Sequence, residues 1–313
     1  MADIFAELKT EPALAHKLAV TIPGGDPDSP QARRAARTVR GSPLVATLFE
    51  NRDTTGRSYR KWIGAHWVLS ILADLGCPPG DDSLRPLMDE TFSTWLSEAH
   101  QKTVRLIAGR TRRCASQEGY AIWCSLKLGF ADARTDELVA RLLRWQWPDG
   151  GWNCDKHPEA NKSSFMETLI PLRALALYAR VTGDPAVRAA SERAAEVFLK
   201  RHLFRRQTNG NVMNSNFVLL HYPAYWHYDI LFGLKVMAEA GYLSDPRCRE
   251  ALDRLASKRL PDGGFPAEAT YSRPTRSQLA GYTPVTWGGV SRKEMNPFVT
   301  ADALFVLHAA GLE

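Results

Sequence analysis

Five apolar helical segments recur along this chain, and each runs into a closing glycine at Gly76, Gly129, Gly183, Gly241 or Gly311. They begin near Trp62, Glu118, Met166, Tyr228 and Thr300, and the glycines lie 53, 54, 58 and 70 residues apart. A glycine just past the last apolar residue supplies the left-handed stop of a helix. Self-similarity at this period dictates a repeat architecture before any single residue is weighed.

Four of the segments are followed within a few residues by Asp or Pro and a second helix, over Leu84 to Leu96, Asp136 to Trp145, Pro185 to Leu199 and Pro246 to Leu255. The first helix type is apolar on nearly every side, whereas the second keeps one apolar stripe and a charged face. The unit is therefore a helical hairpin, the first type facing inward and the second outward. A fifth outer helix is expected within Gln31 to Glu50, and a leading helix before Pro23-Gly24-Gly25-Asp26-Pro27 supplies part of a sixth hairpin. The organisation expected is one all-α domain over 1–313, with 1–28 as leading helix and linker and 29–313 as hairpin repeats.

The connections are lopsided. Inner-to-outer links such as Val181-Thr182-Gly183-Asp184 are short, whereas the outer-to-inner ones around Gln101 to Ser116, Pro148 to Ser163, Phe204 to Ala224 and Leu260 to Pro297 are long. With parallel inner helices, every long loop and every inner-helix N-terminus gathers at one end, the expected functional face.

Two outer helices finish alike, in Trp145-Gln146-Trp147-Pro148-Asp149-Gly150-Gly151-Trp152 and Lys258-Arg259-Leu260-Pro261-Asp262-Gly263-Gly264-Phe265. In register with the hairpin period, they resemble the Q…DGGW (QW-like) motifs of the squalene-cyclase and protein-prenyltransferase superfamily of terpenoid-cyclase-like proteins. Over roughly residues 55–313 the resemblance implies an α/α toroid of five to six hairpins around a central cavity. The chain departs from the family's chemistry. It has no DxDD acid and no DDxxD, its Asp81-Asp82 falls on a short loop, and Lys162-Ser163-Ser164-Phe165-Met166-Glu167 lacks the Asp-x-Cys pattern of a prenyltransferase zinc site.

Aligning the inner helices on their glycines sets Lys61, Trp62 and His66 level with Glu118, Glu167, His227, Asp229 and Asp302, all ringing one end of the cavity. The stretch His221 to Asp229 is richest, and His227 beside Asp229 reads as an acid/base pair, because a neighbouring carboxylate tunes an imidazole. The catalytic set expected is His227, Asp229, Asp155 and Glu167, against the competing reading of Ser164 and Glu167 as a capping box and of Asp155 as a loop-fixing turn. Trp62, His66, Glu118, Tyr225, Trp226 and Tyr228 are expected to wall the ligand. Trp287, Arg292 and Asn296 join them from a lid. Cys154, Asp155, His157 and His227 form an alternative metal set, with zinc as the ion, though their spacing follows no metal motif.

The function expected is a terpene-cyclase-like enzyme acting by acid/base chemistry on an apolar or isoprenoid small molecule. A carbohydrate-active hydrolase or lyase using paired carboxylates and a non-catalytic small-molecule- or lipid-binding protein are the alternatives. With 40 Lys+Arg against 34 Asp+Glu and no long basic run interleaved with aromatics, a nucleic-acid partner is not expected. No apolar run approaches the ~18 residues that span a bilayer. Five unpatterned cysteines and a leading segment without secretory features lead to an expected cytoplasmic location with reduced thiols.

Overall fold

The computed structural model of the protein describes residues 8, 10–21, 29–274 and 281–312. Among them are thirteen α-helices and two short two-stranded sheets. The helices are α1 (Pro12–Thr21), α2 (Pro30–Val39), α3 (Pro43–Glu50), α4 (Ala65–Leu75), α5 (Arg85–Leu96), α6 (Glu98–Gln101), α7 (Ser116–Lys127), α8 (Ala133–Trp145), α9 (Phe165–Thr182), α10 (Pro185–Leu199), α11 (Ile230–Ala240), α12 (Arg249–Ala256) and α13 (Pro297–Ala309). No helix among the described residues is long and apolar enough to cross a membrane.

All five closing glycines adopt the left-handed backbone expected of them, with φ between 68° and 84°. The outer helices fall where the charged stripes placed them, except that the one expected within Gln31 to Glu50 is two helices, α2 and α3. Pro43 cannot donate to a continuing helix, and Ser42 caps the new start by accepting from the Leu44 amide at 3.1 Å. The linker expected at Pro23 to Pro27 lies outside the described residues.

Packing follows one circuit: α1 touches α4, α4 touches α7, and contacts continue through α9, α11 and α13 back to α1. The outer helices lie against this circuit, α5 on α4, α8 on α7, α10 on α9 and α12 on α11. The buried core runs through the circuit, with α4, α11 and α13 buried along nearly their whole length.

The two Asp-Gly-Gly turns are superimposable in their hydrogen bonds. In one, the Trp147 amide donates to the Gly151 carbonyl at 2.8 Å and Gly150 to Trp147 at 2.9 Å; in the other, Leu260 donates to Gly264 and Gly263 to Leu260, both at 2.9 Å. The following aromatic is fully buried in both, and a threonine one turn into the next inner helix holds its backbone. Thr168 Oγ1 accepts from the Trp152 amide at 3.1 Å, and Thr300 Oγ1 from the Phe265 amide at 2.9 Å. Gly150 and Gly263 carry φ of 105° and 92°, and a Cβ on Gly150 would meet the Arg193 carbonyl at 2.2 Å, so glycine is required there.

Candidate functional site

The leading ends of three of the helices, α7, α9 and α11, meet. The Ser116 amide at the start of α7 donates to Glu167 Oε2 on α9 at 3.1 Å, and Trp226, just before α11, donates its Nε1 to Glu167 Oε1 at 3.1 Å. This end is filled rather than open. Tyr225 lies flat on Trp62 with ring centroids 4.2 Å apart, edge-on to Trp67, and its carbonyl accepts from the Tyr120 hydroxyl. Beneath the 221–225 segment only about 30 Å³ remains, room for a water or so.

The expected acid/base pair is re-partnered. Asp229 caps α11 by accepting from the Phe232 amide at 2.7 Å, and its Oδ2 sits 2.7 Å from His221 Nδ1 and 2.9 Å from the His221 amide. His227 instead stacks on Tyr271 at 3.6 Å. Burial, then His221 and Lys61, push the His227 pKa down to about 3, which leaves the ring neutral. His221 Nε2 and His227 Nδ1 are buried without a hydrogen-bond partner among the described residues.

Glu167 does not close a capping box. Ser164 is the N-cap of α9 without a side-chain cap bond, and the Glu167 carboxylate turns to Ser116 and Trp226. Burial raises its pKa. Glu118 is clamped by Arg113 Nε at 2.9 Å and His100 Nε2 at 3.0 Å. His66 is enclosed by Tyr59, Trp67, Trp95 and Tyr120, and its Nδ1 accepts from Trp95 Nε1 at 3.3 Å. The Tyr228 hydroxyl donates to the Leu203 carbonyl at 2.6 Å while its ring packs among Phe165, Phe198 and Phe217, a core position.

The lid expected near the C-terminus is knitted into the core. Asn296 caps α13 and donates to the Trp287 carbonyl at 2.6 Å, the Trp287 ring packs edge-on against Tyr222 and Phe298, and Arg292 is exposed. Asp155 and His157 are exposed too, and Asp155 Oδ1 accepts from the His157 amide at 2.9 Å, the loop-fixing turn. Cys154 is not grouped with them. Its sulfur lies against Cys114 and Glu167, all three ligand atoms within 4.8 Å of one another.

Halfway down the inner helices lies a buried ionic network that the sequence reading did not assemble. Lys17 from α1 bridges Asp74 of α4 at 2.8 Å and Asp302 of α13 at 2.7 Å, and Lys235 of α11 reaches the same two carboxylates at 2.7 and 2.9 Å. Arg173 of α9 grips Glu239 through Nε at 2.5 Å and Nη2 at 2.7 Å, approaches Asp74 at 3.3 Å, and lies 3.7 Å above the Trp123 ring. Three cations thus neutralise three carboxylates. Burial alone would raise the pKa of Asp74, but Lys17, Lys235 and Arg173 overcome it and hold the carboxylate well below its usual range. Asp302 belongs to this layer and not to the mouth: the paired threonines set Thr300 level with Thr168, so Asp302 sits deeper than Glu167.

Below the network, at the opposite end from the imidazoles, a cavity of about 610 Å³ opens among the C-terminal halves of α4, α7, α9 and α11, with α1, α2 and α13 completing the wall. Of the residues expected to ring the mouth, Asp302 alone is in its lining. Ala73, Cys77, Pro79, Trp123, Leu177 and Phe305 are among its apolar surfaces; Lys17, Arg33, Arg37, Lys127, Arg173, Arg180 and Lys235 supply cations against the carboxylates of Asp74, Glu239 and Asp302.

No protein-family model matches this chain, and no curated protein or solved structure does either. The chemistry of the cavity therefore rests on its own groups.

With the network balanced, Lys127, Arg180 and Arg37 leave the lining net positive among the described residues. Burial, with Arg173 and Arg180 opposing it further, lowers the Lys127 pKa although Glu239 and Asp74 act the other way. An ammonium held against its preference gains from an anion placed beside it. His16 on the same wall is pushed down to about 4 by burial, then by Lys127 and Lys17, and stays neutral. The missed signal was charge inside otherwise apolar segments: Lys17, Asp74, Arg173 and Lys235 all interrupt runs rich in aliphatic residues.

Proposed function

We propose that this protein binds an amphipathic small molecule, with an apolar isoprenoid-like or acyl-like body and an anionic head, in the cavity at the C-terminal ends of its inner helices. The observation that carries this reading is the combination of an open-mouthed volume of about 610 Å³, apolar walls, and a lining with more cations than carboxylates. Trp123, Leu177 and Phe305 suit the body. Lys127 and Arg180 suit the head, and Arg180 is steadied by donating Nη1 to the Glu239 carbonyl at 3.0 Å.

The α/α-toroid reading belongs to the same proposal. It is supported by the closed circuit of inner-helix contacts and by the two equivalent Asp-Gly-Gly turns. Ligand binding is favoured over an acid-initiated cyclase or a paired-carboxylate glycosidase by the state of the carboxylates. Asp74 and Glu239 are held ionised by their cations, so neither is placed to give up a proton at neutral pH, and both oxygens of Asp302 are taken up by lysine contacts.

The test is equilibrium binding of a prenyl diphosphate, a fatty acid and the matching uncharged alcohols to the full chain. An anion should bind at least about tenfold more tightly than its alcohol, and Arg180→Gln or Lys127→Gln should narrow that gap. Equal binding of alcohol and anion, or binding of neither, would overturn the proposal.

A further inference from the structure

At the opposite end, Cys114, Cys154 and Glu167 bring two thiols and a carboxyl together from three separate places in the chain. Cys114 lies two residues before α7, Cys154 two residues past the first Asp-Gly-Gly-aromatic turn, and Glu167 in the first turn of α9. Their ligand atoms fall within 4.8 Å of one another, about an ångström wider than the spacing that Zn–S bonds of ~2.3 Å impose on a tetrahedral site. Side-chain rotation covers that difference.

We infer that these three side chains form a binding site for a soft divalent cation of the zinc class, with a fourth position open to water or ligand. Glu167 is 98% buried by its 2% residual exposure, and no cation is paired with it among the described residues. Its partners are neutral donors, the Ser116 amide and Trp226 Nε1, with the Cys154 sulfur 3.8 Å away. A buried carboxylate facing two thiols without a compensating charge is an unfavourable arrangement that a cation would complete. The two neutral donors orient it, as outer partners orient metal-bound carboxylates. Cys114 and Cys154 are each half-buried, which leaves a route for the ion and the fourth ligand. Binding displaces the proton of each thiol to solvent, so the ion sits on two thiolates and one carboxylate.

The site is independent of the cavity proposed above. Cobalt(II) added to the reduced full chain reports it directly, since thiolate ligation in a tetrahedral field gives a sulfur-to-metal charge-transfer band together with intense visible bands. We expect those bands, release of about two protons per ion, and protection of Cys114 and Cys154 by zinc from alkylation mapped by mass spectrometry. Cys114→Ser, Cys154→Ser and Glu167→Gln should each weaken binding by roughly tenfold or more, while Cys124→Ser leaves it unchanged. The alkylation arm uses the unaltered protein and holds even where a variant misfolds. Octahedral cobalt spectra without charge transfer, alkylation of both thiols at the same rate with and without zinc, or their conversion to a disulfide that zinc does not prevent would each overturn the inference.

Discussion

Lys17 and Asp302 stand 285 residues apart in the chain and meet at 2.7 Å in its interior. The first described inner helix is thereby tied to the last, and α1 fills the gap between α13 and α4. The pair is buried and shared with Asp74 and Lys235, so its removal strands charge rather than merely deleting an attraction.

Lys17→Met should therefore destabilise the fold by about 3–5 kcal/mol, leaving the two buried carboxylates to Lys235, with Arg173 reaching only Asp74. Urea denaturation followed by circular dichroism measures this. A loss under about 1 kcal/mol would mean that water enters the network and screens it.

Stability should fall on acidification, through two sets of groups with the same sign. The pKa of His66 is pushed by burial to about 3 and that of His16 to about 4, against about 6.5 in the unfolded chain. The unfolded state takes up protons first, so stability is complete above pH ~6.5 and declines as pH falls toward those folded values. Asp74 and Glu239 are held low by their cations despite burial, so their contribution is present above pH ~4 and disappears in stronger acid. Unfolding free energies at pH 7, 6 and 5 should drop by a few kcal/mol in total, and His66→Asn, which keeps an acceptor for Trp95, should flatten that limb. An unchanged slope in the variant would remove His66 from the account.

Gly76→Ala should cost more than Gly183→Ala. Both glycines are left-handed, at φ 82° and 76°, but a Cβ at position 76 would lie 2.1 Å from the His16 ring, whereas nothing lies within 4 Å at position 183. The backbone penalty of about 1–2 kcal/mol applies to both; the collision applies only to the first. Paired thermal melts decide it, and equal shifts would show that His16 moves aside freely.

Thr168→Val and Thr300→Val should lose similar stability, about 1–3 kcal/mol each, because each strands the buried amide of the aromatic after an Asp-Gly-Gly turn. Chemical denaturation of both variants tests whether the two turns are energetic as well as geometric equivalents.

The glycine stops and charged stripes made the hairpins and their direction legible, because helix period and termination are local properties of the chain. The mouth was misread for a physical reason. Glu167 and Trp226 do meet, with Lys61 lying over both Trp226 and Trp62, but the non-periodic segment around Tyr225 folds back into that end and fills it, and nothing in its residue pattern announces the fold-back. The same irregularity gave Asp229 to His221 in place of His227. Lys17, Asp74, Arg173 and Lys235 were readable as charges inside apolar helices, yet only the packed circuit shows that they meet. Cys114 and Cys154 were visible as residues but not as neighbours, since 40 positions and the helices α7 and α8 separate them.

The aromatic turn and the following helix are clasped twice in each repeat, through the threonine and through an amide of the N-cap that donates to the aromatic's carbonyl, Ser164 to Trp152 at 2.9 Å and Asn296 to Phe265 at 2.8 Å. Between those anchor points lie 11 residues in one copy and 30 in the other. The same pair of clasps closes a short loop in one copy and a long one in the other, so the relation of turn to helix does not depend on the length of chain that joins them.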